Sequence, residues 1–189
     1  VEFTDSAREN WVLKQARDRL AVEQEWLCSV ERVIREMDTL QICNDMIQLA
    51  SVPLSGVPAV VPAIHFEDRN NYVYAMTAAA ADCRVWKTDL LDGVVDSSVA
   101  QACGWLLGVL HAGSWMNGAV RNAIGSTEFF DDLRLDPYYR QIARVHSALQ
   151  APVDRLLELN GSHRHCLVHG DYSPKNILVN EQQVILLDF

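Results

Sequence analysis

His169-Gly170-Asp171-Tyr172-Ser173-Pro174-Lys175-Asn176-Ile177-Leu178-Val179, followed by Val184-Ile185-Leu186-Leu187-Asp188-Phe189, is the stretch on which the fold turns. Asn176–Val179 and Val184–Leu187 read as short apolar strands, and Asn180-Glu181-Gln182-Gln183 between them closes a hairpin. Pairing Val179 with Val184 sets Asn176 opposite Leu187, so Asp188 lies diagonally across from Asn176 at the open end. Cβ atoms so placed are about 5–8 Å apart. An amide oxygen and a carboxylate can then converge on one hard cation, and Mg²⁺ takes such ligands while keeping positions for water and phosphate. Asp171 precedes Asn176 by five residues, across a loop containing Pro174, and can face the same opening. There it can accept a proton from a hydroxyl or orient that hydroxyl toward phosphorus. One Asp for a nucleophile and an Asn/Asp pair for a metal are the parts that phosphoryl transfer from a nucleotide requires.

Outward from this stretch, the chain alternates between strand and helix periods. Trp11–Ala16 reads as a strand with Val12, Lys14 and Ala16 on one face. Trp26, Val30, Val33, Ile34, Met37 and Leu40 recur at helical steps. Segment 51–62, with three prolines and a glycine, predicts a loop or extended linker. Ala63–Phe66 and Tyr72–Met76 read as two strands joined by a polar turn over 67–71. After the small-residue stretch Ala78–Ala81 the pattern becomes helical. One helix carries Val99, Cys103, Leu106, Leu107 and Leu110 and is expected to stop near Gly113; a second region spans Ile142 to Leu157, with Pro152 breaking or restarting it. Cys166–His169 reads as a third C-terminal strand. This order predicts an α+β architecture, a small β-containing lobe joined to a mainly helical one.

The chain has 189 residues, 49% apolar and 22% charged, which is globular composition. No apolar run approaches the roughly 18 residues of a membrane span, and no signal peptide is visible, so a cytoplasmic protein away from membranes is expected. A net charge of −9 disfavours nucleic acid as a partner and leans toward a cationic ligand. Five cysteines without a CxxC pair read as reduced thiols. His163, His165, Cys166 and His169 cluster in sequence, but strand alternation splits them between two faces and disfavours zinc. Neither a G-x-S-x-G elbow nor a P-loop is present in these 189 residues.

H-G-D-x-x-x-x-N followed by an apolar hairpin and D-F resembles the aminoglycoside phosphotransferase / choline kinase-like family of small-molecule phosphotransferases, which has a protein-kinase-like two-lobe fold. The equivalent protein-kinase pattern is H-R-D-x-x-x-x-N with D-F-G, and Gly170 in place of the arginine favours the small-molecule kinases. The resemblance extends over most of the chain. It implies a partial N-terminal lobe over 1–77, a hinge over 78–81 and a partial C-terminal lobe over 82–189. It implies an ATP- and Mg²⁺-dependent kinase acting on a hydroxylated small molecule, with Asp171 as catalytic base and Asn176 and Asp188 as Mg²⁺ ligands. His169 would brace the catalytic loop. Lys14, one of only three lysines against thirteen arginines, resembles the strand lysine that contacts the ATP phosphates. Its ion-pair partner would be Glu36, with Glu31 the alternative, and backbone groups of Met76, Ala78 and Ala80 would hold adenine. The family also has a phosphate-covering Gly-rich turn before the lysine and helices after D-F. Neither is present here, and the abrupt ends are expected to be cuts. The alternative reading is a non-catalytic nucleotide-binding or interaction fragment.

Overall fold

The structure is a computed structural model and describes residues 10–16, 29–51 and 56–189. Near the N-terminus, β1 (Trp11–Gln15), β3 (Ile64–Asp68) and β4 (Val73–Thr77) form an antiparallel sheet in the order β1-β4-β3. Its register sets Lys14 directly opposite Tyr74. The turn between β3 and β4 comes slightly later than the sequence predicts, because Asp68 extends the strand. The Asp68 carboxylate accepts the N–H groups of Asn70 and Asn71 and so organises the turn itself.

Helix α1 (Arg32–Leu49) buries Val33, Met37, Leu40 and Cys43, the stripe expected from a 3.6-residue period. Trp26, placed on the same helical pattern, lies outside the described residues. The helix runs past Leu40 because Met46 and Ile47 continue its apolar face against the core. Leu13, on the other face of β1, is 56% exposed. β1 is an edge strand, and the face that carries Lys14 and Ala16 is the one turned inward.

The C-terminal hairpin pairs as its sequence predicts. β6 (Ile177–Val179) and β7 (Val184–Leu186) match Val179 with Val184 and Ile177 with Leu186, and Leu187 N–H donates to Asn176 C=O at 2.9 Å. Two further short strands widen this sheet. β5 (Arg84–Val85) pairs with β6, and β2 (Ala59–Val60) lies parallel to β7. The order is β2-β7-β6-β5. Part of the proline-rich segment expected to be loop is therefore strand. Pro58 contributes through its carbonyl, which accepts Val184 N–H at 2.9 Å, so the missing prolyl N–H costs nothing there.

Helices fill the interval. They are α2 (Trp86–Leu91), α3 (Ser97–Ser114) and α4 (Gly118–Ile124), then α5 (Glu128–Phe130), a π-helical stretch over Asp131–Arg140 and α6 (Gln141–Val145), and finally α7 (Gln150–Ser162). Asp96 and Asn117 cap α3 and α4 through side-chain oxygens. Pro152 sits in the first turn of α7, where its absent N–H leaves no hydrogen bond unmade, so the proline restarts the helical region. Gly113 does not stop α3, which continues to Ser114. Its lack of a side chain lets α1 approach: a Cβ there would come within 2.9 Å of Met46 Cγ.

Cys166–His169 is not a strand. Met116 N–H bonds His165 C=O at 2.7 Å and Leu167 N–H bonds Ser114 Oγ at 2.9 Å, so the end of α3 satisfies this segment's backbone instead of a ladder. Cys43, Cys83, Cys103 and Cys166 carry free thiols. Among the described residues no helix is long and apolar enough to cross a membrane.

Candidate active site

Three elements separated by long stretches of chain meet at Lys14. Strand β1 presents its Nζ, α1 presents Glu36 at 2.5 Å, and the end of β7 presents Asp188 at 3.6 Å. Glu36 is thus the partner of Lys14, while Glu31 stands at the N-cap of α1. The Glu36 side chain is only 11% exposed against 38% for Lys14. Burial pushes its carboxyl above the ordinary value, and the Lys14 ammonium opposes the shift. Behind the pair lies Tyr74, whose fully buried hydroxyl has no hydrogen-bond partner, the one such buried side-chain atom among the described residues. Desolvation, followed by the nearby Glu36 charge, holds that phenol firmly protonated.

A cavity of about 300 Å³ opens beside this pair, and Lys14, Glu36, Met76, Lys175, Asn176 and Asp188 line it. Five of the residues singled out from sequence therefore share one wall. Asn176 is nearly buried, and its Nδ2 donates to Asp171 C=O at 2.9 Å, which leaves the amide oxygen for another partner. That oxygen and the Asp188 carboxylate are hard donors of the type Mg²⁺ takes, so the residues present fit such an ion. Asp188 has φ 65°, the left-handed region, which costs a non-glycine residue about 1 kcal/mol or more. The peptide groups just before it resist relaxation. Leu187 N–H is bonded to Asn176 C=O, and Leu187 C=O lies 2.9 Å from His169 Nε2.

His169 joins the loop that carries Asp171 to the hairpin. Asp171 N–H donates to its Nδ1 at 3.3 Å, so Nε2 carries the proton and donates to Leu187 C=O. Burial lowers the His169 pKa, the Leu187 carbonyl and the Asp188 and Asp171 charges opposing it, so the ring is neutral. Gly170, between them, has φ +77°, and a Cβ would meet the Phe130 ring at 3.2 Å. Both the backbone and the neighbour therefore require glycine here.

The Asp171 carboxylate lies 2.7 Å from Lys175 Nζ and 3.6 Å from Arg134 Nη2. Burial works to raise its pKa, but Lys175, the Asn176 amide and Arg134 outweigh burial and hold it below the ordinary carboxylate range. It is ionised at neutral pH, as a proton acceptor must be. Sequence reading assigned no role to Lys175 or Arg134. Lys175 stands one helical step from Asp171 in number, a signal available from the motif itself. Arg134 comes from the π-helical stretch, where no motif announces it.

The hinge residues are placed differently from the rest. Met76 lines the cavity, whereas Ala78 and Ala80 do not. Ala78 N–H already donates to Asn10 C=O at 2.8 Å, and Ala80 C=O accepts Cys83 N–H at 3.0 Å.

A strand lysine paired with a helix glutamate, set above an Asp-Asn loop and a hairpin aspartate, brings together the kinds of groups that phosphoryl transfer uses. The sequence model of the APH family, the phosphotransferase enzyme family, matches residues 1–189, and the chain belongs to that family. No curated protein matches it.

Proposed function

We propose that this chain carries the site of an ATP- and Mg²⁺-dependent kinase that phosphorylates a hydroxyl of a small molecule. The observation that supports this most is the meeting of Lys14 with Glu36 at 2.5 Å and Asp188 at 3.6 Å beside the cavity that also holds Asn176. Glu36 fixes the ammonium where it can bind the nucleotide phosphates. Asn176 and Asp188 would hold the divalent cation, which supplies charge neutralisation on the phosphates when bound. Asp171 accepts the proton of the acceptor hydroxyl as that oxygen bonds to the γ-phosphorus, while the bond from phosphorus to the β–γ bridging oxygen breaks and ADP departs. Catalysis on this reading is positioning and electrostatics. Met76 would pack against the base, whereas Ala78 N–H is already engaged with Asn10 C=O.

Calorimetric titration with ATP in the presence and absence of Mg²⁺ tests the reading. Binding that requires both the cation and Lys14 is the expected result. Cation-independent binding, or equal binding by Lys14→Ala, would remove the proposed site.

A further inference from the structure

The charge around Asp171 runs opposite to that of the chain. A protein of net charge −9 sets two cations on this one carboxylate, Lys175 at 2.7 Å and Arg134 at 3.6 Å. Lys175 is 53% exposed and uses one of its three donors there. Arg134 also braces the Gly170 carbonyl through Nε at 3.3 Å, which points its outer nitrogen toward Asp171.

The same sign extends outward. A cavity of about 730 Å³ begins at Lys14, Asp188, His169 and Gly170 and runs toward α4. Among the described residues six cationic side chains line it, Lys14 and Arg32, Arg35, Arg121, Arg134 and Arg164, against two carboxylates, Glu36 and Asp188. Both carboxylates already face Lys14. Arg35, Arg121 and Arg164 donate to the carbonyls of Ala123, Arg164 and Gly125, and among the described residues neither they nor Arg32 has a carboxylate within ion-pair distance. These carbonyl bonds account for one donor each of the Arg35, Arg121 and Arg164 guanidiniums, and most of the others are left over. Among the described residues a hydroxylated cation entering here would meet more like charge than opposite charge. An anion would find donors next to the base itself, and guanidinium forks match carboxylate and phosphate oxygens.

Resting on the kinase reading above, we infer that the acceptor is an anion: a hydroxylated small molecule bearing a carboxylate or phosphate that Arg134 and Lys175 hold beside Asp171. This reverses the cationic acceptor that overall charge suggests. In the free protein the two cations neutralise Asp171. When the acceptor binds, its anionic group takes over their donors and its hydroxyl takes the carboxylate. The arginines of the wider cavity raise the local anion concentration.

Four sugar derivatives in different charge states test this. Glucose, glucosamine, gluconate and glucose 6-phosphate are titrated into the Mg²⁺·ADP-loaded protein, and phosphorylation of each by ATP is followed. The expected result is tighter binding of gluconate or glucose 6-phosphate than of glucose by roughly 10-fold or more, weakening as salt is added. The two anions distinguish a carboxylate site from a phosphate site. Arg134→Gln and Lys175→Met should each erase that preference, raising KM for the anion far more than they lower kcat. Arg134→Lys and Lys175→Arg should restore part of it. Glucosamine binding as well as the anions, or no tighter binding of either anion than of glucose, overturns the inference while leaving the kinase reading intact. Loss of Mg²⁺-dependent nucleotide binding in the parent protein instead overturns the kinase reading.

Discussion

Replacing Lys14 by Met should destabilise the protein in a pH-dependent way that identifies Glu36 as the group left behind. The substitution keeps the stem and removes the ammonium, so a carboxylate that is 11% exposed loses its lysine partner and is left facing the Asp188 charge. Breaking a fully buried pair costs about 3–5 kcal/mol. Lys14 is 38% exposed, so water screens the pair and about 2–3 kcal/mol is the appropriate range here. The sign with pH follows from the direction of the Glu36 shift. Its folded pKa lies above its unfolded value, so the folded state holds the extra proton and stability falls as pH rises between the two. Without Lys14 the folded pKa rises further and that window widens upward. Urea unfolding of parent and Lys14→Met at pH 5 and pH 8 should show a small difference at the lower pH and the full one at the higher. Lys14→Met combined with Glu36→Leu should recover most of the loss, since an apolar pair of similar volume leaves no buried charge. A loss equal at both pH values, or undiminished in the double variant, would refute the reasoning.

Asp171→Asn should lower turnover by roughly 10²–10⁴-fold and hardly change ATP affinity, because Asp171 is absent from the wall of the smaller cavity; single-turnover phosphorylation alongside ATP titration separates the two. Asp188→Asn tolerates the left-handed backbone at φ 65° and removes the charge, so Mg²⁺-dependent nucleotide affinity should fall while the thermal midpoint stays within a few degrees. His169 is buried with a lowered pKa, so its contribution is complete above its unfolded pKa and lost as pH falls through the folded one. His169→Gln should flatten the acid side of the stability profile measured by denaturant midpoints, and an unchanged profile would rule out the neutral brace.

The parts of the site that the sequence disclosed are those set by local register. A four-residue turn between two apolar strands admits one pairing that buries both, and that pairing places Asn176 and Asp188 without any knowledge of the rest. Lys14 and Glu36 needed the family pattern, since nothing local ties a strand to a helix twenty-two residues on. Other features were hidden for identifiable reasons. Arg134 reaches Asp171 only because the chain winds through a π-helical stretch, and no hydrophobic period marks that winding. β2 could not be seen because two residues among prolines carry no alternation; its partner, not its own sequence, makes it a strand. Gly113 looked like a helix stop, but the reason for it lies on another helix, at Met46.

β2 also explains how the C-terminal hairpin keeps its geometry while bearing a strained residue. β7 is an inner strand: β6 holds it on one side and β2, delivered by the segment that follows α1, holds it on the other. Leu186 is fully buried, and both peptide groups of Leu187 are bonded. Asp188 is the first residue beyond these restraints, so the left-handed turn falls on it. The cost of that turn is offset by contacts on either side of it, and relaxing φ at Asp188 would require breaking the His169 or the Asn176 bond first.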